Sequence, residues 1–153
     1  MGRARASHGP VTFLIDANVL LYTTAEGPYR EPCLEILDAV GRGSADGRAS
    51  TAVLEEVWHV EVSGTAPDLA GLTRRLYRVL SPLLPVDDEA FGRALGLDAP
   101  RLETNDRIHA GTCLVHDIGV IVSADRGFDG VKGIRRVDPL DERALRRLLG
   151  SSR

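Results

Sequence analysis

The sequence predicts an α/β fold in which a parallel sheet lies between two helical layers. Three observations predict it. Two short apolar runs, residues 11–15 and 119–122, have the length and β-branched content of buried strands. Between them lie longer stretches whose apolar residues recur every three or four positions, the period of an amphipathic helix. Strand and helix patterns alternate along the chain, as they do when crossover helices join parallel strands.

The first strand is expected at residues 11–15. Asp16-Ala17-Asn18 turns into a short helical run, 19–24, which Gly27-Pro28 breaks. A second helix over 29–40 places Cys33, Leu34, Ile36, Leu37 and Val40 on one stripe, and Gly41-Arg42-Gly43-Ser44 ends it. A short strand at 48–50 leads into a helix over 51–62, with Val53, Leu54, Val57, Trp58 and Val62 as its apolar surface. The stretch from Ser63 to Pro67 interrupts the pattern. A helix over 67–80 carries Leu69, Leu72, Leu76, Tyr77 and Val79. Residues 84–86 form a brief strand, and Asp87 or Asp88 caps a helix to about Leu97. Thr104 is the expected N-cap of a helix over 105–116, with Ile108, Cys113 and Leu114 inward. A strand at 120–122 follows Gly119, then a last strand at 134–137 and a last helix at 138–149.

A chain of 153 residues suits one domain, expected over 11–150, with residues 1–10 as a frayed tail. With 43% hydrophobic and 27% charged residues the composition is that of a soluble globular protein, and no apolar stretch approaches membrane-spanning length. Cys33 and Cys113, the only cysteines, lack the spacing of a metal or redox pair and read as reduced core residues of a cytoplasmic protein. A net charge of -3 lacks the basic signature of many nucleic-acid binders, without excluding RNA. Lys132 is the only lysine among 19 basic residues; arginine suits phosphate, but a GC-rich genome gives the same skew.

Four acids carry the chemistry: Asp16, Glu56, Asp106 and Asp125. Asp16 and Asp125 follow strands, at the sheet end where α/β folds bind ligands. Glu56 faces the same side of its helix as Val53, Val57 and Val60, so it is more inward than Glu55, about 100° away. Asp106 lies in the first turn of its helix. Each has a local explanation as well: helix cap, solvated acid, dipole partner or loop turn. Four acids that converge need a cation, and a hard divalent ion with oxygen ligands answers that need. Asn18, Ser123 and His109 are the supporting candidates, with Asp129 in reserve. Both Glu56 and Asp106 are followed by His at the third position, the pattern of di-iron bundles, but Asp16 and Asp125 follow strands and not helices. The chain has no P-loop, GxGxxG or Gly-x-Ser-x-Gly.

Read together, these residues resemble the PIN-domain ribonuclease family, most closely the VapC-like toxins. Phe13-Leu14-Ile15-Asp16-Ala17-Asn18 resembles the family's first motif, and Ser50 through Val57 its second, with Glu56 at the acidic position. Asp106-Arg107-Ile108-His109-Ala110 and Val122-Ser123-Ala124-Asp125-Arg126-Gly127 are similar to the third and fourth, Ser123 standing where Thr is common. The resemblance implies a three-layer α/β/α domain with a central parallel sheet of about five strands. It implies one or two Mg²⁺ or Mn²⁺ ions held by Asp16, Asp106, Asp125 and Glu56, and hydrolysis of RNA, tRNA included, to 5′-phosphate and 3′-hydroxyl ends. Its partners would be a VapB-like antitoxin and a second copy of the chain, with Trp58, Tyr77 and the leucines of the 68–80 helix as a candidate partner surface. Arg107 and Arg126, and further off Arg135 and Arg136, are candidate phosphate contacts. Competing readings are a housekeeping RNA-processing nuclease, a signalling receiver domain and a non-catalytic scaffold. The receiver needs an acid pair after the first strand and a lysine after the last, and has neither here.

Overall fold

A computed structural model describes residues 10–150. The tail expected over residues 1–10 therefore lies, Pro10 apart, outside the described residues. Strand β1 (Thr12–Ile15) runs through the centre of the domain, and its residues alternate between the two faces as the pleat requires. Phe13 and Ile15 enter one hydrophobic cluster and Leu14 the other. β3 (Val120–Val122) divides the same way, with Val120 and Val122 on the first face and Ile121 on the second. With β2 (Asp46–Arg48) and β4 (Arg135–Val137) they make a parallel sheet of order β2-β1-β3-β4.

Helices α1 (Ala17–Tyr22), α2 (Arg30–Gly41), α3 (Thr51–Ser63), α4 (Leu72–Leu80) and α7 (Glu142–Leu149) cover the first face. α6 (Thr104–Val115) covers the second with Ala110 and Cys113, and α5 (Asp88–Leu95) packs on α6. That close approach needs Gly111: a Cβ there would stand 2.5 Å from the Ala90 carbonyl oxygen. Both cysteines are free and buried, as expected.

Several elements differ from expectation. The second strand lies at Asp46–Arg48 and not 48–50, because Ser50 is needed as the cap of α3, its hydroxyl accepting the Val53 N–H at 3.1 Å. The strand expected at 84–86 is reduced to a single parallel bridge between Leu84 and Ser50 beyond the end of β2. Pro82 and Pro85, on either side, have no N–H with which to extend it. That bridge is the fifth strand position.

The helix expected over 67–80 splits into a 3₁₀ turn, Pro67–Leu69, and α4, because Gly71 adopts φ 79° between them. The Glu61 carboxylate caps the new start, accepting the N–H groups of Gly71 (2.9 Å) and Thr73 (2.8 Å). Thr104 is the first residue of α6, with Glu103 in the cap position. The last helix begins at Glu142, where Asp141 caps it. Trp58, Val62 and Tyr77 are exposed, not core; Trp58 and Tyr77 line a groove between α3 and α4.

Candidate active site

Sheet register brings the first two site residues together. Ile15 of β1 pairs with Val122 of β3, so the residues that follow, Asp16 and Ser123, leave the sheet side by side. The Asp16 N–H donates to the Val122 carbonyl at 3.0 Å and the Ser123 N–H to the Val137 carbonyl at 3.1 Å, fixing both exits. Asp16 is buried, and its carboxylate is held on every side. Oδ1 accepts the Ala17 N–H at 2.8 Å, which also caps α1. Oδ2 accepts the Ser123 hydroxyl at 2.6 Å and the Asn18 amide at 3.1 Å. Asn18 and Ser123 thus both touch the Asp16 carboxylate.

α6 crosses above this point with Asp106 and His109 one turn apart on one face. One candidate ligand atom each from Asp16, Asp106 and His109 lie within 4.8 Å of one another. His109 Nε2 is 3.1 Å from Glu56 Oε1 and 3.8 Å from Asp16 Oδ1. Glu56 therefore reaches the cluster from α3 through a histidine 53 residues away in sequence, where the sequence suggests only that His109 sits beside Asp106. Asp125 caps the 3₁₀ turn Arg126–Gly130, accepting the Gly127 N–H at 2.8 Å, and its carboxyl is near enough to Asp106 to oppose that group's ionisation.

The electrostatics are those of acids short of a cation. Burial raises the Asp16 carboxyl above its ordinary range, against the opposing charge of His109 and the Ser123 hydrogen bond. Asp106 is pushed up to about 7, first by burial, then by the Asp125 hydrogen bond and the charge of Asp16. His109 is lowered by burial, but Glu56, Asp16 and Asp106 outweigh that and hold it above its usual value. Among the described residues no lysine or arginine pairs with any of these acids. Carboxylates that converge around one histidine, with no lysine or arginine paired to them among the described residues, fit a hard divalent cation.

Other candidates are drawn elsewhere. The Arg107 guanidinium donates to three carbonyls, Leu102 (3.2 Å), Leu97 (3.0 Å) and Ala99 (2.9 Å), so it braces the loop before α6 and is not free for phosphate. Asp129 lies outside the cluster, paired with Arg136 at 2.8 Å. Arg136 also donates to the Ser123 carbonyl (2.9 Å) and to Asp138 (3.1 Å), which makes it a clamp on the turn that carries Asp125. Nothing local in the sequence marks that clamp except the acid two residues on, Asp138. Arg126 is exposed and in none of the ion pairs among the described residues, beside Asp125 in sequence.

The sequence model described as PIN domain matches residues 13–134. The chain belongs to the PIN-domain family. This PIN domain is similar to Ribonuclease VapC13 of Mycobacterium tuberculosis, 27% identical over 128 residues that cover 81% of this chain and 98% of the relative. Its fold is shared with DNA-bound VapBC from Salmonella typhimurium, at TM-score 0.66 and 22% identity over 84% of this chain and 98% of that one. FitAcB from Neisseria gonorrhoeae has a TM-score of 0.67 and 17% identity over 85% and 99% of the two chains. No helix among the described residues is long and apolar enough to cross a membrane.

Proposed function

We propose that this PIN domain is a metal-dependent endoribonuclease acting as the toxin of a toxin–antitoxin pair. The observation that carries the reading is the convergence of Asp16, Asp106 and His109, with Glu56 bonded to His109 and Asp125 neighbouring Asp106, at the carboxyl ends of β1 and β3. Asp16, Asp106 and Asp125 would hold Mg²⁺ or Mn²⁺. Such an ion, when bound, neutralises charge on a scissile phosphate and makes water a stronger nucleophile near neutral pH. The rest is the work of the chain. Ser123, Asn18 and the Ala17 N–H keep Asp16 in one orientation. Glu56, with 33% of its side chain exposed, stands where it can orient a water and take its proton. Arg126 offers a guanidinium to a flanking phosphate. The resemblance to VapC ribonucleases supports RNA as the substrate, and the VapBC neighbours support a VapB-like antitoxin as partner. A homodimer in the cytoplasm belongs to the same reading.

Induced expression in a bacterium tests it. The chain is expected to arrest growth, Asp16→Ala to abolish the arrest, and co-expression of the small protein encoded beside it to relieve it. RNA cleavage without growth arrest would instead favour a housekeeping nuclease.

A further inference from the structure

His109 is the one basic group inside the acid cluster, and its two ring nitrogens have different surroundings. The ring is 1% exposed, Nε2 meets Glu56, and Nδ1 is buried without a hydrogen-bond partner. That asymmetry decides what the ring does. A histidine that ligates through one nitrogen carries its proton on the other and gives it to an acceptor. Ligation by Nε2 would strand that proton on Nδ1, in a place with no protein acceptor. With the proton on Nε2, the ring instead makes a charge-assisted bond to Glu56 and leaves only a lone pair unmet. The imidazolium keeps the same bond from Nε2 to Glu56, although its second proton, on Nδ1, meets no protein acceptor.

We propose that His109 limits the site to a single divalent ion by tethering Glu56 and filling the space between Glu56 and Asp16. The proposal rests on the metal-dependent reading above and adds the number of ions and the role of Glu56. Nε2 stands 3.1 Å from the Glu56 oxygen and 3.8 Å from the Asp16 oxygen. A second ion shared by those two oxygens would compete with the ring nitrogen that already reaches both. Asp16, Asp106 and Asp125 are left to hold one ion. Glu56 acts from outside its ligand shell, as a positioning group for water, and a third of its side chain remains open for that.

The test counts Mn²⁺ per chain, by equilibrium dialysis and by the loss of the free Mn²⁺ resonance, on full-length protein checked for folding by circular dichroism. Wild type is expected to bind one ion. His109→Gln, which keeps a donor in place, binds one. His109→Ala opens the space, frees Glu56 and binds two, and the double variant His109→Ala, Glu56→Gln returns to one. Two ions in wild type, or one in folded His109→Ala, overturns the proposal. If His109→Ala does not fold, Glu56→Gln in the wild-type background decides: it should bind Mn²⁺ far closer to wild type than Asp16→Asn does, and equal loss in the two overturns the proposal. A wild type that binds no Mn²⁺ overturns the metal-dependent reading itself, and this proposal with it.

Discussion

Without metal, the domain should lose stability as pH rises from mild acid to neutrality. In the folded protein the Asp106 carboxyl is pushed up to about 7 from an ordinary 3.8. Between those values the folded state holds a proton that the unfolded chain has released, so stability falls across the window and the full penalty is present above it. His109 and Asp16 act in the same direction. His109, held above its usual value, contributes stability in acid that is lost as pH rises through its folded pKa. Asp16, also raised, is penalised for ionising in the fold. A shift of roughly three units corresponds to about 4 kcal/mol at most. Asp106 keeps substantial contact with solvent, and screening reduces this to about 1–2 kcal/mol. For a domain of this size that is roughly 3–6 °C in melting temperature. The assay is thermal melting in EDTA at about pH 5 and about pH 7.5, on wild type and Asp106→Asn, the window being set by the ordinary and shifted carboxyl values. The wild type should melt lower at the higher pH, Asp106→Asn should lose most of that difference, and saturating Mn²⁺ should remove it. A wild type as stable at the higher pH, or an Asp106→Asn with the same slope, would refute the reasoning.

Four further variants each probe a single residue. Ser123→Ala removes the 2.6 Å bond to Asp16 and should weaken Mn²⁺ binding about tenfold, read by calorimetry, with little change in melting temperature. Arg107→Ala strips donors from three carbonyls and should destabilise the fold by about 2 kcal/mol in urea unfolding, whereas Arg126→Ala should leave stability alone and weaken RNA binding, with a shallower salt dependence. Gly111→Ala would push α5 off α6 and should cost about 1–3 kcal/mol in the same unfolding assay, since the new Cβ meets backbone and cannot be accommodated by a rotamer change.

What the chain reveals before folding is what local periodicity encodes. Phe13-Leu14-Ile15 and Val120-Ile121-Val122 read as strands because each alternates between two apolar layers, and their ends mark where Asp16 and Asp125 emerge. β2 was shifted because Asp46-Gly47-Arg48 has no apolar signature; its place is set by pairing with Thr12 to Leu14. The break at Gly71 is enforced by Glu61, ten residues earlier, through bonds that no helical pattern announces. Trp58 and Tyr77 follow the helical stripe yet stand outside, because periodicity gives the face of a helix but not how far its neighbour covers that face.

The same division runs through the site. Residue type and motif order single out Asp16, Glu56, Asp106 and Asp125 as candidates, and the fold brings Asp16 and Asp106 together. Their relations were not legible in the sequence. Arg107 has the chemistry of a phosphate contact and spends it on carbonyls five to ten residues upstream. Asp129 is drawn off by Arg136, whose third bond, to the Ser123 carbonyl, depends on β3 and β4 being neighbours. His109 meets Glu56 only because α6 packs on α3.

The proposed activity requires that the acid cluster cut RNA through a divalent ion. The direct measurement is incubation of bacterial RNA with purified, antitoxin-free protein in Mg²⁺, in Mn²⁺ and in EDTA, beside Asp16→Ala. Discrete fragments with 5′-phosphate ends are expected, requiring the metal and disappearing in the variant. Cleavage that persists in EDTA or in Asp16→Ala, or intact RNA in every lane from folded protein that also fails to bind Mn²⁺, would contradict the proposed activity.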